Sequence, residues 1–505
     1  MKMIKSLLLG SAAGIVAMSG AQAADLPLKA KAVEYVRVCS LYGAGFYYIP
    51  GTDTCIKLSG YLRVDVAANT NSDDTGNTSG TAGARNRLSN GYTWRSREDF
   101  DIDTRTATEY GVVRTFFDAT FSWTSGGYAG VGTTTYDANT AGNSGSGSVA
   151  GGQLGVYYAF IQFAGFTMGK AISQFSAPWT AYPGNNFDGL VGGGGTVTGV
   201  NQFSYTAEFG NGISGTLSAQ DPTAYYQAGV NNLAAGGYGA SDYAGPVAPD
   251  LVAMLRVDQA WGLFQASVAA HDNHVGYYDV TVGDERSGHP DDKWGFAGQL
   301  ALSIKNIPTG PGDTINVQGV YTDGATRYNI QDLAGQAGAY TVYGSTGVPG
   351  NYGSIGIGFA PDTVFALGGS QQLIQTWGFR GGYTHNWNPY WNSGIYGAYA
   401  AIHYNDTAKG LLCGVGGGIG TIQAAFGGGI TSCNPDYNIA QLGFITRWTP
   451  VKNLTFSADL TWTHLDQKYT GTALVNGTGV GKPNAAYTLA DQDTLLLLLR
   501  AQRNW

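Results

Sequence analysis

The chain has few charged residues for its length. Only 12% of its 505 residues are Asp, Glu, Lys or Arg, against roughly 25% in ordinary soluble domains. Lys and Arg are not clustered in runs, and the formal net charge is −8. These features exclude nucleic acid as a partner, because proteins that bind it present a concentrated basic surface to the phosphate backbone.

A long hydrophobic run is missing from most of the chain. A membrane-spanning helix needs roughly 20 consecutive apolar residues, and the longest late run is only Leu495–Leu499. This absence excludes a helical membrane protein.

The N-terminus is typical of a secretory signal peptide. It combines two lysines, an apolar segment and a small-residue cleavage site, at Lys2, Lys5, Leu7–Met18 and Ala21-Gln22-Ala23. We therefore expect residues 1–23 to be removed on export and residues 24–505 to form the mature protein.

Signatures of catalysis, metal binding and cofactor binding are also lacking. No Gly-x-Ser-x-Gly occurs, and the six histidines have no partner pattern, so the sequence predicts no enzyme. No histidine stands at zinc-ligand spacing beside a cysteine, and nothing matches a twelve-residue calcium loop. We expect no metal ion and no cofactor.

Cysteine is scarce, with one residue at each of positions 39, 55, 413 and 433. In an exported protein four cysteines favour two disulfides, for which the sequence allows three pairings. The local pairing, Cys39–Cys55 and Cys413–Cys433, is favoured because it closes the shortest loops.

What the sequence does have is a strict alternation of side chains, clearest in residues 93–123. The first strand of this segment carries the charged residues on one face: Arg95, Arg97, Asp99, Asp101, Asp103 and Arg105. The second has an apolar face from Val113 to Trp123, with Arg114 and Asp118 on the other face. Since side chains alternate along a strand, the pattern predicts a sheet with one polar face in contact with water and one apolar face. A transmembrane β-barrel with lipid outside and water inside has such a sheet.

The alternation continues from Ile56 to Trp505 and predicts an all-β, antiparallel barrel of sixteen strands. Residues 24–55 form an N-terminal segment and residues 56–505 the barrel. Long polar connections alternate with short turns. The long connections are 69–91, 124–152, 177–199, 221–249, 275–292, 324–371, 406–435 and 467–490. Short periplasmic turns and long outer loops are typical of bacterial outer-membrane barrels.

Several motifs in this pattern resemble the alphaproteobacterial porin family. They lie at both ends of the chain, in Glu34–Cys39, Gly43–Cys55, Gly60–Arg63, Asp103–Gly111, Cys433–Asp436 and Trp448–Leu454. The resemblance implies a trimeric outer-membrane channel for passive diffusion of small hydrophilic solutes and ions. It also implies that the third long loop, 177–199, folds inward and narrows the pore. Porins usually end in Phe, whereas this chain ends in Trp505.

Two charged walls are expected at such a constriction. Counting from the predicted strand ends places Arg63, Arg97 and Arg114 near mid-height, with Arg95 above them and Arg105 nearer the periplasm. Asp188 is the acidic residue of the loop, and facing charges across a narrow gap favour polar solutes. Alternatively, the arginines only pair with acidic residues of the wall, namely Asp65, Asp99, Asp101, Asp103 and Asp118.

Other functions remain open from the sequence. The aromatic residues Trp179, Tyr182 and Phe187 could stack on sugars in a solute-specific channel, or they could only attach the loop to the wall. A soluble β-rich adhesin is a further alternative. The barrel interpretation predicts outer-membrane lipid and lipopolysaccharide as partners and several membrane-spanning strands.

Overall fold

A computed structural model describes most of the chain after the N-terminal region. The described residues are 37–69, 92–125, 148–149, 152–179, 184–186, 189–193, 199–223, 227–234, 242–279, 285–330, 339–344, 353–414, 422–475 and 484–505. The signal peptide predicted for residues 1–23 lies outside them.

Sixteen strands form one closed antiparallel barrel, which confirms the predicted fold. They are β1 (Cys55–Asn69), β2 (Tyr92–Thr108), β3 (Gly111–Ser125), β4 (Gly152–Phe163), β5 (Phe166–Ala171), β6 (Val200–Gly210), β7 (Ile213–Gln220), β8 (Asp250–Gln259), β9 (Gly262–Asn273), β10 (Lys293–Lys305), β11 (Thr314–Asp323), β12 (Gln375–Asn388), β13 (Trp391–His403), β14 (Tyr437–Val451), β15 (Leu454–Gln467) and β16 (Gln492–Asn504). Each strand pairs with its neighbour in the chain, and β16 pairs with β1 to close the barrel.

The connections alternate between long and short all along the chain, as expected. The turn between β6 and β7 shows how the short ones form. Its residues Asn211 and Gly212 have φ values of 51° and 72°, the left-handed conformation that two-residue hairpin turns require. Because Asn and Gly adopt this conformation readily, the sequence Gly210-Asn211-Gly212 fixes the turn and the register after it.

The strands expose their apolar residues on the outer face. Leu62 on β1 and Leu217 on β7 are 53% and 71% exposed, while their neighbours along the strand face the lumen. This is the arrangement of a lipid-facing barrel wall.

The eight-residue turn between β10 and β11, residues 306–313, is organised by one carboxylate. Asp313 is fully buried and accepts hydrogen bonds from Thr309 Oγ1, the Asn386 backbone N–H and the Tyr383 hydroxyl, at 2.7, 2.8 and 3.0 Å. His385 Nδ1 lies 2.7 Å from the same carboxylate. Although burial opposes ionisation, these hydrogen bonds lower the pKa of Asp313 well below its ordinary value.

Both predicted disulfides are present. Cys39–Cys55 ties the segment before the barrel to the start of β1, where the two-residue strand Tyr47–Tyr48 also pairs with β1. Cys413–Cys433 joins the end of helix α1, Asp406–Cys413, to the chain that leads into β14. A second short helix, α2, spans Ile422–Ala425. None of the helices in the described part of the chain is long and apolar enough to cross a membrane.

One half of the lumen contains a hydrophobic core. Inward-facing residues of β13 and β14 belong to the same buried cluster as residues of five connections. Members of the cluster include Ala398, Ala400, Ile402, Ile439 and Ile445 from the wall, and Leu190, Val191, Leu233, Ile355, Ile357, Val364, Ile374, Leu412, Tyr469 and Leu489 from the connections. Strand-like segments within the connections support this core, including Ser354–Phe359 and Ala485–Leu489. Side chains of the long connections therefore cover the inner face of β13 and β14.

The connection between β11 and β12 is fixed to the wall by a buried polar network. His271 on β9 lies 2.7 Å from Asp250 on β8 through its Nδ1 and 3.0 Å from the Tyr243 hydroxyl through its Nε2. That hydroxyl donates to Asp362 of the connection at 2.7 Å. Asp362 also accepts the backbone N–H of Thr326 at 2.6 Å. Buried carboxylates are stable only when paired and hydrogen-bonded, so this network holds the connection firmly in place.

Candidate functional site: the charged wall of the lumen

The lumen faces of β1, β2 and β16 carry a basic group around one aspartate. Arg95 on β2 donates to Asp65 on β1 at 2.6 Å, and Arg500 on β16 donates to the other oxygen of Asp65 at 2.7 Å. The Asp65 side chain is only 3% exposed. Arg95, which the sequence predicts to line the pore, is thus half of a buried ion pair.

Arg63 and Arg97 lie side by side in the same region, as direct cross-strand partners. Arg63 Nε donates to Gln502 at 2.9 Å, and its guanidinium lies over the ring of Tyr61, 4.3 Å from the ring centre. Arg97 Nε donates to Ser122 at 2.8 Å. Both guanidinium groups thus donate to uncharged side chains of neighbouring strands.

The register separates Arg114 from this pair and corrects the expectation that it lies at their level. Arg97 pairs with Ser122 on β3, and Arg114 lies eight residues farther along that strand. At about 3.4 Å per residue, the two positions lie roughly 27 Å apart along the strand. Arg114 instead pairs with Arg105, and both guanidinium groups bind Asp103, at 3.0 and 2.9 Å.

Three aspartates lie between these two arginine levels. Asp101 on β2 is the cross-strand partner of Asp118 on β3, and Asp99 is two residues from Asp101 on the same face. The lumen wall therefore alternates in charge along the barrel axis, from the Arg63 and Arg97 level through the aspartates to the level of Arg105 and Arg114. Arg95, Arg105 and Arg114 each form an ion pair with a carboxylate of the wall.

The third long connection begins five residues earlier than predicted and spans 172–199. The strand before it, β5, ends at Ala171. Gln202 Nε2 donates to the carbonyls of Ala171 and Ile172, at 2.9 and 2.8 Å. These side-chain hydrogen bonds satisfy the carbonyls that a longer strand would have paired with its neighbour.

Described residues of this connection contact lumen-facing side chains of distant strands. The Asn186 backbone N–H donates to Asp459 on β15 at 2.6 Å, and Arg447 on β14 donates to the Gly184 carbonyl at 2.7 Å. Arg500 donates to the Asn186 carbonyl at 3.2 Å. These bonds place residues 184–186 against the inner surface of β14–β16.

Residues 189–193 continue along the same surface. Gln441 on β14 accepts the backbone N–H of Val191 and donates to the Gly189 carbonyl, both at 2.9 Å. Gln318 on β11 donates to the Gly192 carbonyl at 3.3 Å. Asp188, Tyr182 and Phe187 lie outside the described residues, and Trp179 is half-buried.

Sequence reasoning missed three residues of this arrangement: Arg447, Asp459 and Arg500. Each alternates correctly with outward-facing neighbours, for example Asp459 between Ala458 and Leu460. Alternation could therefore have placed them in the lumen. Their contacts with residues 184–186 depend on the path of the loop, which the pattern does not contain.

Comparison with known proteins agrees with this architecture. A family model described as "Porin subfamily" matches residues 25–498. The chain belongs to this porin family. Among curated relatives, Porin Omp2b of Brucella suis biovar 1 is 36% identical over 296 residues, which cover 56% of this chain and 72% of that protein. Porin Omp2b of Brucella canis is 35% identical over 304 residues, with the same shares covered.

A solved structure shares the porin fold. The outer membrane channel DcaP of Acinetobacter baumannii has a TM-score of 0.54 and 15% sequence identity, covering 91% of this chain and 99% of that one. Together with the family match, the closed barrel makes this chain a multi-pass outer-membrane porin of the general type. Family and relatives indicate a channel rather than an enzyme, and they do not favour the solute-specific alternative.

Proposed function

We propose that this porin admits small hydrophilic solutes and ions by passive diffusion, with its narrowest part between Arg63, Arg97 and the loop 177–199. The observation that carries the proposal is the pair of guanidinium groups on directly opposite lumen positions of β1 and β2, which brings two positive charges together on the wall. Positive groups beside a narrow aqueous path order water and favour polar solutes over apolar ones.

The loop contacts support this position for the constriction. Asn186 is bound to Asp459 and Arg500. Arg500 also binds Asp65, the partner of Arg95, which is two residues from Arg97 on β2. In the sequence, Asp188 stands between Asn186 and Gly189, which are both bound to the wall. We propose that its carboxylate provides the facing negative charge.

The buried core over β13 and β14 supports a path displaced toward the charged strands. Residues of the long connections cover β13 and β14 with apolar side chains, whereas β1–β3 present charged side chains to the lumen. The side chains of Arg105 and Arg114 are 29% and 28% exposed. We infer that solutes pass along β1–β4, and that Arg105 and Arg114 line the path nearer the periplasm.

The assembly and surroundings of the protein follow from family resemblance and the outer surface. We propose a homotrimer, after cleavage of residues 1–23, with outer-membrane lipid and lipopolysaccharide around the apolar outer wall. Leucines such as Leu62 and Leu217 suit contact with acyl chains.

Reconstitution in planar bilayers tests the proposal. Arg63→Ala and Arg97→Ala should each raise single-channel conductance and shift selectivity toward cations, because each removes a positive charge and a long side chain from the narrow part. Lys305→Ala is the control, since that side chain is 47% exposed at the end of β10. Unchanged conductance and selectivity in both arginine variants would contradict the constriction role, and absence of channels in the wild type would contradict the pore itself.

A further inference from the structure

Three carboxylates converge at one point of the lumen wall. Asp101 and Asp118 are cross-strand partners, and Asp99 shares their face. One oxygen of each lies within 4.8 Å of the other two. We call Asp99, Asp101 and Asp118 the acidic trio.

The trio differs from the other lumen aspartates in its partners. Asp65 and Asp103 each bind two arginines, whereas no member of the trio forms an ion pair with a basic side chain in the described part of the chain. The side chain of Asp101 accepts a bond from Ser59 Oγ at 3.3 Å. The trio therefore places three formal negative charges together without a paired cation.

Two oxygen atoms of the trio are buried and unsatisfied. Asp99 and Asp118 are only 6% and 7% exposed, and the Oδ1 atom of each accepts no hydrogen bond from any described residue. A buried carboxylate oxygen is costly unless it is hydrogen-bonded, paired or bound to a metal ion. These two atoms provide an observation independent of the charge count, because a cation bound between them would satisfy both.

We propose that the acidic trio binds a divalent cation, with Ca²⁺ as the best match. Calcium binds carboxylate oxygens at about 2.3–2.6 Å, so ligands on opposite sides of the ion can lie up to about 5 Å apart. Magnesium keeps several of its water ligands and is usually bound by only one or two carboxylates, so a group of three carboxylates matches calcium better. Half-buried Asp101 faces the lumen and gives the ion and its remaining water ligands access.

Terbium luminescence tests the site on the purified full-length porin. Tb³⁺ replaces Ca²⁺ at oxygen sites and is sensitised by nearby tyrosines, and Tyr61 and Tyr158 are the cross-strand partners of Asp99 and Asp118. We expect saturable emission that Ca²⁺ displaces, with affinity at least tenfold weaker in Asp118→Asn. Asp103→Asn, which removes the same charge from the same strand wall, should retain the wild-type affinity.

Asp101→Asn is the second variant, because its more exposed side chain makes the substitution easier for the fold to accept. It should weaken Tb³⁺ binding as Asp118→Asn does. The proposal is overturned if the wild type shows no Ca²⁺-displaceable emission, as a proton shared by Asp99 and Asp118 would produce. Equal affinity in Asp101→Asn and Asp103→Asn would also overturn it. The measurement requires no conduction, so its outcome is independent of the proposed function.

Discussion

Asp65 and Arg500 form an ion pair of 2.7 Å although 435 residues separate them in the chain. The pair spans β1 and β16, the two strands whose pairing closes the barrel. Asp65 holds Arg95 at the same time. One carboxylate therefore links the first, second and last strands on the lumen side.

Asp65→Asn should destabilise the barrel strongly. The substitution leaves two buried guanidinium groups without a charged partner, and breaking a buried pair in this way costs about 3–5 kcal/mol. Urea unfolding in detergent micelles measures the loss.

The matched control for that experiment is Asp436→Asn. Asp436 binds Lys409 at 2.6 Å, but both side chains are partly exposed, at 17% and 32%. Such pairs contribute only about 0–1 kcal/mol. Similar losses in the two variants would show that the closing ion pair has no special role.

Much of this fold follows from local sequence. Alternation with a period of two fixes which face of a strand is apolar, and short turns such as Gly210-Asn211-Gly212 fix where strands reverse. The number of strands, the order of loops and both disulfides were predicted correctly for these reasons. Each depends on neighbours that are close in the chain.

The height of a side chain in the lumen depends on how its strand pairs with the neighbouring strands. This pairing register could not be predicted from the sequence. Arg114 was placed beside Arg97, whereas pairing puts it beside Arg105. A register shift at Asp118 and Ala119 adds a local irregularity between β3 and β4. The core over β13 and β14 was missed as well, because it assembles from connections that no periodic pattern marks.

Gly192→Ala should detach the loop from the wall and change the channel. Gly192 has a φ of +92°, and an added Cβ would lie 2.5 Å from the backbone of Phe379 on β12. The loop must then move away from β12, so we expect altered single-channel conductance and more frequent closures.

Gly184→Ala is the control for the loop. Gly184 has a similar φ of +81°, but its added Cβ would meet only Thr384 Oγ1, at 3.8 Å. Gly184→Ala should therefore introduce the same backbone strain at a positive φ as Gly192→Ala, without a steric clash with the wall. Identical recordings for the two variants would argue against close packing of residues 189–193 on β12.

Stability should depend on Asp313 in a pH-dependent way. Its folded-state pKa lies below the unfolded value of about 3.9, so its stabilisation is complete above that value and is lost as the pH falls through the folded pKa. Asp313→Asn should thus lower the unfolding free energy at pH 7, and the difference from the wild type should shrink in acid below pH of about 4. Asp258→Asn, whose side chain is 56% exposed, should differ little from wild type at any pH. A constant difference for Asp313→Asn across this range would contradict the linkage.

The most direct test of the account is thiol accessibility on the two sides of the lumen. All four native cysteines are in disulfides, so a single introduced thiol can be followed with a charged methanethiosulfonate reagent during bilayer recording. Arg97→Cys should react and lower the conductance in steps, because the proposed path runs beside this position. Ala400→Cys, at a fully buried position of β13, should leave the current unchanged. Block at position 400, or no effect at position 97, would contradict a path that runs along the charged wall.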